Sequence, residues 1–152
     1  MEIHEKPAQD SDRAGCLGAF PGLAAAAADA PTVVLADQAK YAPAPAPYPS
    51  GSMMAVLSGD PTKAGSQYTV RLKLSDGVTI APHAHGDTEN VTVISGTLLV
   101  GVGSSVAPAS MLALTPGSYV SIPAGTPHYA IAKGETVVQV NGVGPASMEL
   151  VK

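Results

Sequence analysis

The chain has 152 residues dominated by small and aliphatic side chains, and its 12 acidic against 8 basic residues leave a formal net charge of −4. That balance excludes a basic stripe able to neutralise phosphates, so nucleic acid is not an expected partner. A single cysteine, Cys16, excludes an intrachain disulfide framework and the paired-Cys spacing of a zinc finger.

Residues 1–30 stand apart in composition. Ala14 to Ala30 is small and apolar, contains the run Ala24 to Ala28, and ends in Ala28-Asp29-Ala30, the form of a secretory cleavage site. Met1 to Arg13, however, carries four acids against two basic residues, and Pro21-Gly22 interrupts the apolar run. An exported leader begins with positive charge. The segment therefore reads either as an Ala-rich tail on a cytoplasmic protein or as a degenerate leader on a periplasmic or secreted one. It is too short and interrupted for a membrane span.

Residues 31–52 form a Pro-rich arm. Its alternating Ala-Pro run from Tyr41 to Ser50 lacks the N–H groups for a regular ladder and predicts extended, polyproline-like chain, a stiff connector wrapping the domain that follows.

From residue 53 to residue 152 short apolar runs alternate with turn residues. Tyr68, Val70, Leu72 and Leu74 alternate with Thr69, Arg71 and Lys73, the period of a half-buried strand. Turns are expected at Ser75-Asp76-Gly77, Ser95-Gly96-Thr97, Pro116-Gly117 and Lys133-Gly134-Glu135. Ser104 to Met111 reads as a loop with one helical turn. The expected class is all-β, a small antiparallel barrel, because closure removes exposed strand edges. An open sheet edge is a pairing surface and the Pro-rich arm could exchange across it, so a homodimer is the default expectation.

Within this domain lies the strongest signal. The first block reads Gly77, five residues, His83-Ala84-His85, three residues, Glu89, six residues, Gly96. The second reads Gly117, five residues, Pro123-Ala124-Gly125, two residues, His128. Successive strand side chains point to opposite faces, so His83 and His85 project the same way. Gly86-Asp87 offers a turn, and a hairpin with the run Val91 to Val93 would return Glu89 to the two imidazoles. His128 joins them only if the sheet curls on itself. Three imidazole nitrogens and one carboxylate oxygen suit a divalent first-row ion, and these donors do not choose among Mn, Fe, Ni, Co, Cu and Zn.

Other residues are candidates with less behind them. Gln139, in the run Thr136 to Asn141, is expected to face the cavity and hold a substrate or bound water, with a solvent-facing strand amide as the alternative. Tyr68, Tyr119 and Arg71 are possible pocket residues. Tyr129 should point away from His128 by strand alternation and serve packing. Asn90-Val91-Thr92 has the form of a glycosylation sequon, but its place in a strand beside Glu89 makes coincidence the better reading.

At these two blocks the chain resembles the cupin family. The first block matches the family's first motif at every defined position, and the second matches from Gly117 through His128. The resemblance covers about Met53 to Val151, including the phrases Met54 to Pro61 and Ile122 to His128, which are similar to those of small single-domain bacterial cupins. It implies a double-stranded β-helix, or jelly-roll-like barrel, in which His83, His85, Glu89 and His128 bind the metal. One departure is Ala132, where the family's second motif usually ends in Asn. That Asn is not normally a ligand, so the implied metal set is unaffected.

Two functions follow as expectations. One is a metalloenzyme, dioxygenase- or isomerase-like, acting on a small molecule. The other is a non-catalytic cupin that binds or senses a small ligand or metal in the same pocket. No Gly-x-Ser-x-Gly elbow or Gly-rich phosphate loop competes with these readings.

Overall fold

The computed structural model describes residues 30–152, so the reading of the first thirty residues as tail or leader falls, apart from Ala30, outside the described residues. Nine antiparallel strands and one short 3-10 turn, Pro108–Ser110, make up the regular structure. None of the described helices is long and apolar enough to cross a membrane.

Two long strands organise the fold. Strand β5 (Glu89–Val102) and strand β8 (His128–Val143) each run through both faces of the barrel and pair with each other along most of their length. On one face β1 (Ala42–Pro43), β2 (Ser52–Ser58) and β3 (Gln67–Leu74) lead to the second half of β8, which pairs with the first half of β5 and then β7 (Tyr119–Ile122). On the other face β9 (Glu149–Leu150) and β4 (Thr79–Ala84) lead to the first half of β8, then the second half of β5 and β6 (Leu112–Leu114).

The turns expected at Ser75-Asp76-Gly77 and Pro116-Gly117 are present, closed by Val78 N donating to Ser75 O at 3.1 Å and Ser118 N to Thr115 O at 2.9 Å. Those expected at Ser95-Gly96-Thr97 and Lys133-Gly134-Glu135 are instead bends inside continuous strands. A glycine at positive φ, +74° for Gly96 and +73° for Gly134, lets each strand kink from one face to the other without ending. Thr136, fully buried between the two bends, accepts a hydrogen bond from Thr97 N at 3.2 Å, and Asp76 accepts one from Gly134 N at 2.7 Å. These bonds satisfy backbone groups that the kinks remove from the ladder.

Interior faces follow the pleat. Tyr68, Val70, Leu72 and Leu74 of β3 pack with Val91, Val93, Leu98 and Val100 of β5 and with Ala130, Ala132, Val138 and Val140 of β8. Each large apolar side chain so buried contributes roughly 1.5–3 kcal/mol. Tyr129 faces the opposite side from His128, as alternation requires. Its ring covers Gly101, where any Cβ would meet it at 2.2 Å, and its hydroxyl accepts from Ala107 N at 2.9 Å.

The Pro-rich run is not extended throughout. Ala42–Pro43 forms a two-residue edge strand on β2, and the chain then reverses, with Tyr48 N donating to Pro45 O at 3.1 Å and Ser52 N to Pro49 O at 3.2 Å. An edge is where a strand tolerates proline, and the ensuing turn needs few donors. The resulting strap lays Tyr48 half-buried against the core.

Candidate metal centre

The hairpin expected between the two histidines and Glu89 does not form. Strand β4 pairs with β8 and β9, whereas the start of β5 pairs with β7 and the far half of β8. The segment Gly86 to Thr88 therefore crosses from one face of the barrel to the other, and Glu89 meets the imidazoles across the interior rather than beside them. His128 enters from the first residue of β8, directly paired with His83.

The structure brings all four side chains together. The rings of His83, His85 and His128 lie with centroids 4.2 to 5.2 Å apart, and one ligand atom from each falls within 4.8 Å of the others. Glu89 Oε2 stands 3.2 Å from His128 Nε2 and 3.5 Å from His85 Nε2.

Each ring is oriented by a backbone carbonyl. Nδ1 of His83 meets Ala81 O at 2.7 Å, Nδ1 of His128 meets Thr126 O at 2.9 Å, and Nδ1 of His85 meets Ser147 O. A carbonyl only accepts, so each Nδ1 carries the proton, and in the neutral ring Nε2 is left as a bare lone pair. Nε2 of His85 and of His128 are buried and lack any hydrogen-bond partner. Two lone pairs thus face a carboxylate oxygen, acceptor against acceptor, an arrangement that calls for an added proton or a cation. Two donors each about 2.1 Å from one ion lie roughly 3.0–3.4 Å apart; the Glu89–His128 spacing of 3.2 Å falls in that range and the Glu89–His85 spacing of 3.5 Å lies just beyond it. The three histidines could hold a metal, and the buried orphan nitrogens fit one.

Charges at the site are strongly coupled. Burial pushes the His83 imidazole down to about 4. Burial would raise the Glu89 carboxyl, but hydrogen bonding and charge from His128 and His85 outweigh it and hold Glu89 at about 2. For His85 burial works against the charged form, yet Glu89 prevails and the pKa rises.

The pH dependence of the metal-free protein follows from these signs. Below the ordinary imidazole value of 6.5 the unfolded chain takes up a proton that His83 refuses until about 4, so stability falls with pH across that window. Between the ordinary carboxyl value of 4.5 and about 2 Glu89 adds a second loss. His85 runs the other way, but its contribution is already complete below 6.5 and offsets neither loss. Urea unfolding of metal-free protein should show a midpoint that drops as pH falls from 6 to 4 and goes on dropping towards pH 2; a flat midpoint would contradict the assigned charges.

Gln139 is not in the cavity. Its neighbours Val138 and Val140 line the interior, so alternation turns Gln139 outward, where its Oε1 accepts from the Arg71 guanidinium at 3.1 Å. The prediction is that Gln139→Ala leaves metal stoichiometry unchanged, checked by elemental analysis. Tyr119 is also outside, 60% exposed, its hydroxyl donating to Asn90 Oδ1 at 2.7 Å. Tyr68 does reach the site's mouth, and burial, with Asp87 and Glu89 nearby, pushes its hydroxyl up to about 12. The residue that sequence reasoning missed is Tyr48, which lines both the interior and the mouth beside Glu89. Its signal was a large aromatic interrupting a run of Ala and Pro.

Comparison with known proteins places the fold. Residues 70–143 match the family model described as the cupin domain. Among solved structures, the polyketide cyclase RemF from Streptomyces resistomycificus superposes with a TM-score of 0.64 at 18% identity, covering 79% of this chain and 84% of that one. A proposed acetylacetone dioxygenase from Methylibium petroleiphilum PM1 gives a TM-score of 0.64 at 21% identity, covering 82% and 83%. An RmlC-like cupin from Shewanella frigidimarina NCIMB 400 gives 0.59 at 17%, covering 75% and 91%. The comparison with curated proteins gives no match. The matched segment contains all four converging side chains, and residues 70–143 form a cupin domain whose barrel is shared with these structures.

Proposed function

We propose that this cupin is a metal-dependent enzyme acting on a small molecule, with His83, His85 and His128 giving Nε2 and Glu89 giving a carboxylate oxygen to one divalent first-row ion. The observation that carries the reading is the pair of buried, partnerless Nε2 atoms aimed at the Glu89 carboxylate. Such an ion supplies Lewis acidity or, for a redox-active metal, electron transfer, at the coordination positions that four protein donors leave open.

The surrounding residues do the rest. Carbonyls of Ala81, Thr126 and Ser147 hold the rings in the tautomer that presents Nε2. Apolar side chains of β3, β5 and β8 close the interior, leaving about 30 Å³ there, room for one water. A substrate therefore lies on the outer side of the donors, where His85 and Glu89 open onto a larger cavity. The likeness to a polyketide cyclase and a proposed dioxygenase supports a small-molecule reaction of isomerase or dioxygenase type.

Elemental analysis of protein purified without added metal, followed by turnover assays under air and under nitrogen, tests this. Near-stoichiometric transition metal with substrate-dependent oxygen uptake, or with anaerobic isomerisation, supports the enzyme. Absence of metal, even after exposure to each candidate ion, overturns it. The tightness of the interior favours one alternative use of the same geometry, a ligand- or metal-sensing cupin, and retention of ligand without turnover would decide for that.

A further inference from the structure

The outer cavity has a volume of about 270 Å³ and its wall has an unusual composition. The strap contributes Pro45, Pro47 and Tyr48, and Met54, Tyr68 and Met148 also line the wall. Among the described residues, no charged side chain lines it apart from His85 and Glu89, and no Lys or Arg does. A carboxylate or phosphate entering the mouth would find no protein cation and would face Glu89, so it would be desolvated without compensation. A polyol would fare little better. Ser147, one of the few hydroxyl residues on the wall, already spends its Oγ on Gly86 N and its carbonyl on His85. Tyr rings, proline faces and methionine sulfurs are instead the surfaces on which a flat apolar molecule rests well. The size agrees, since a cavity of roughly 150 Å³ holds benzene and this one has room for a ring with a substituent.

We propose that the mouth takes an uncharged, ring-sized molecule bearing a carbonyl or hydroxyl oxygen directed at the donors, and that Tyr48 of the Pro-rich strap is the specificity-determining wall. The inference deepens the metalloenzyme reading for what that oxygen meets; the apolar wall is the same with or without the ion, and the rejection of anions is a property of the metal-free chain. It also gives the strap a role beyond connection, because the chain reversal from Pro45 to Tyr48 is what brings an aromatic ring to Glu89.

The test uses three probes, acetophenone, benzoate and erythritol, titrated into the metal-free full chain and followed by ligand-observed NMR. Acetophenone should saturate with a Kd at least about tenfold below the other two. Tyr48→Ala and, at a second lining residue outside the strap, Met148→Ala should each raise its Kd about fivefold and narrow its preference over benzoate, with far-UV dichroism unchanged. Benzoate or erythritol binding as tightly as acetophenone, or acetophenone failing to saturate, overturns the inference on the unaltered chain alone. An unchanged Kd in both folded variants removes Tyr48 as the selecting wall. Zinc uptake is measured on the same samples: a chain that binds zinc but shows the wrong probe ranking sinks this inference only, and one with the right ranking but no metal sinks the metalloenzyme reading only.

Discussion

Replacing His83 and His85 together with Ala should lower bound transition metal from about one ion per chain to less than about a tenth of that, while the barrel still folds. Two of the four donors go, and the remaining His128 and Glu89 form an ordinary ion pair with no closed coordination sphere. The fold survives because neither histidine is a member of the apolar cluster built by β3, β5 and β8. Stability does fall. Ala81 O and Ser147 O each lose a ring N–H, and since Ala81 is exposed and Ser147 only half-buried, each lost hydrogen bond costs about 0.5–1.5 kcal/mol. Plasma emission analysis with a thermal melt by circular dichroism reads both quantities. Stoichiometric metal in the folded variant would end the assignment of these four donors.

Substituting the two bend glycines should separate backbone strain from crowding. Gly96 and Gly134 have nearly the same positive φ, +74° and +73°. A Cβ at Gly96 would stand 2.3 Å from Glu135 O and 2.6 Å from Thr136 Oγ1, whereas at Gly134 nothing lies within 4 Å. Ala at either position bears the left-handed penalty, about 1 kcal/mol. Only at Gly96 does it also push backbone against backbone, adding roughly 1–3 kcal/mol. Gly134→Ala is therefore expected to cost about 1 kcal/mol and Gly96→Ala about 2–4 kcal/mol in urea unfolding. Equal losses in the two variants would show that the Gly96 bend yields freely, and would argue against β5 and β8 being held together there.

Much of the barrel could be read along the chain because its causes are local. The alternation from Tyr68 to Leu74, the turns at Asp76-Gly77 and Pro116-Gly117, and the outward position of Tyr129 opposite His128 each follow from the two-residue period of a strand or from the φ that glycine permits. The donor set was legible for a different reason. Three histidines and one glutamate recur at fixed spacing within two glycine-bounded blocks, and that donor type and count together suit a divalent ion.

The errors have a common origin. A glycine at positive φ can end a strand or merely bend it, and the residues Ser95-Gly96-Thr97 look the same in either case. What decides is whether a partner strand continues alongside, as β8 does here. The same ambiguity turned the crossing at Gly86-Asp87 into an expected hairpin. Gln139 was misplaced because its run is apolar on both sides, and which parity faces inward depends on register with β3 and β5, a non-local quantity. Tyr48 was missed because nothing near it in the chain predicts that the strap folds back over the mouth.

By itself the amino-acid order determined which donors exist, which strand faces are apolar and where the chain is able to kink, since these depend on side-chain chemistry and on single backbone torsions. Only the tertiary structure decided that β5 and β8 cross both faces, that Glu89 meets the imidazoles across the interior, and that Tyr48 rather than Gln139 stands beside them. Those outcomes depend on strand pairing between residues up to 76 apart, such as Gln67 and Val143. The free energy that selects one pairing over another resides in burying both partners together, and no local window contains it.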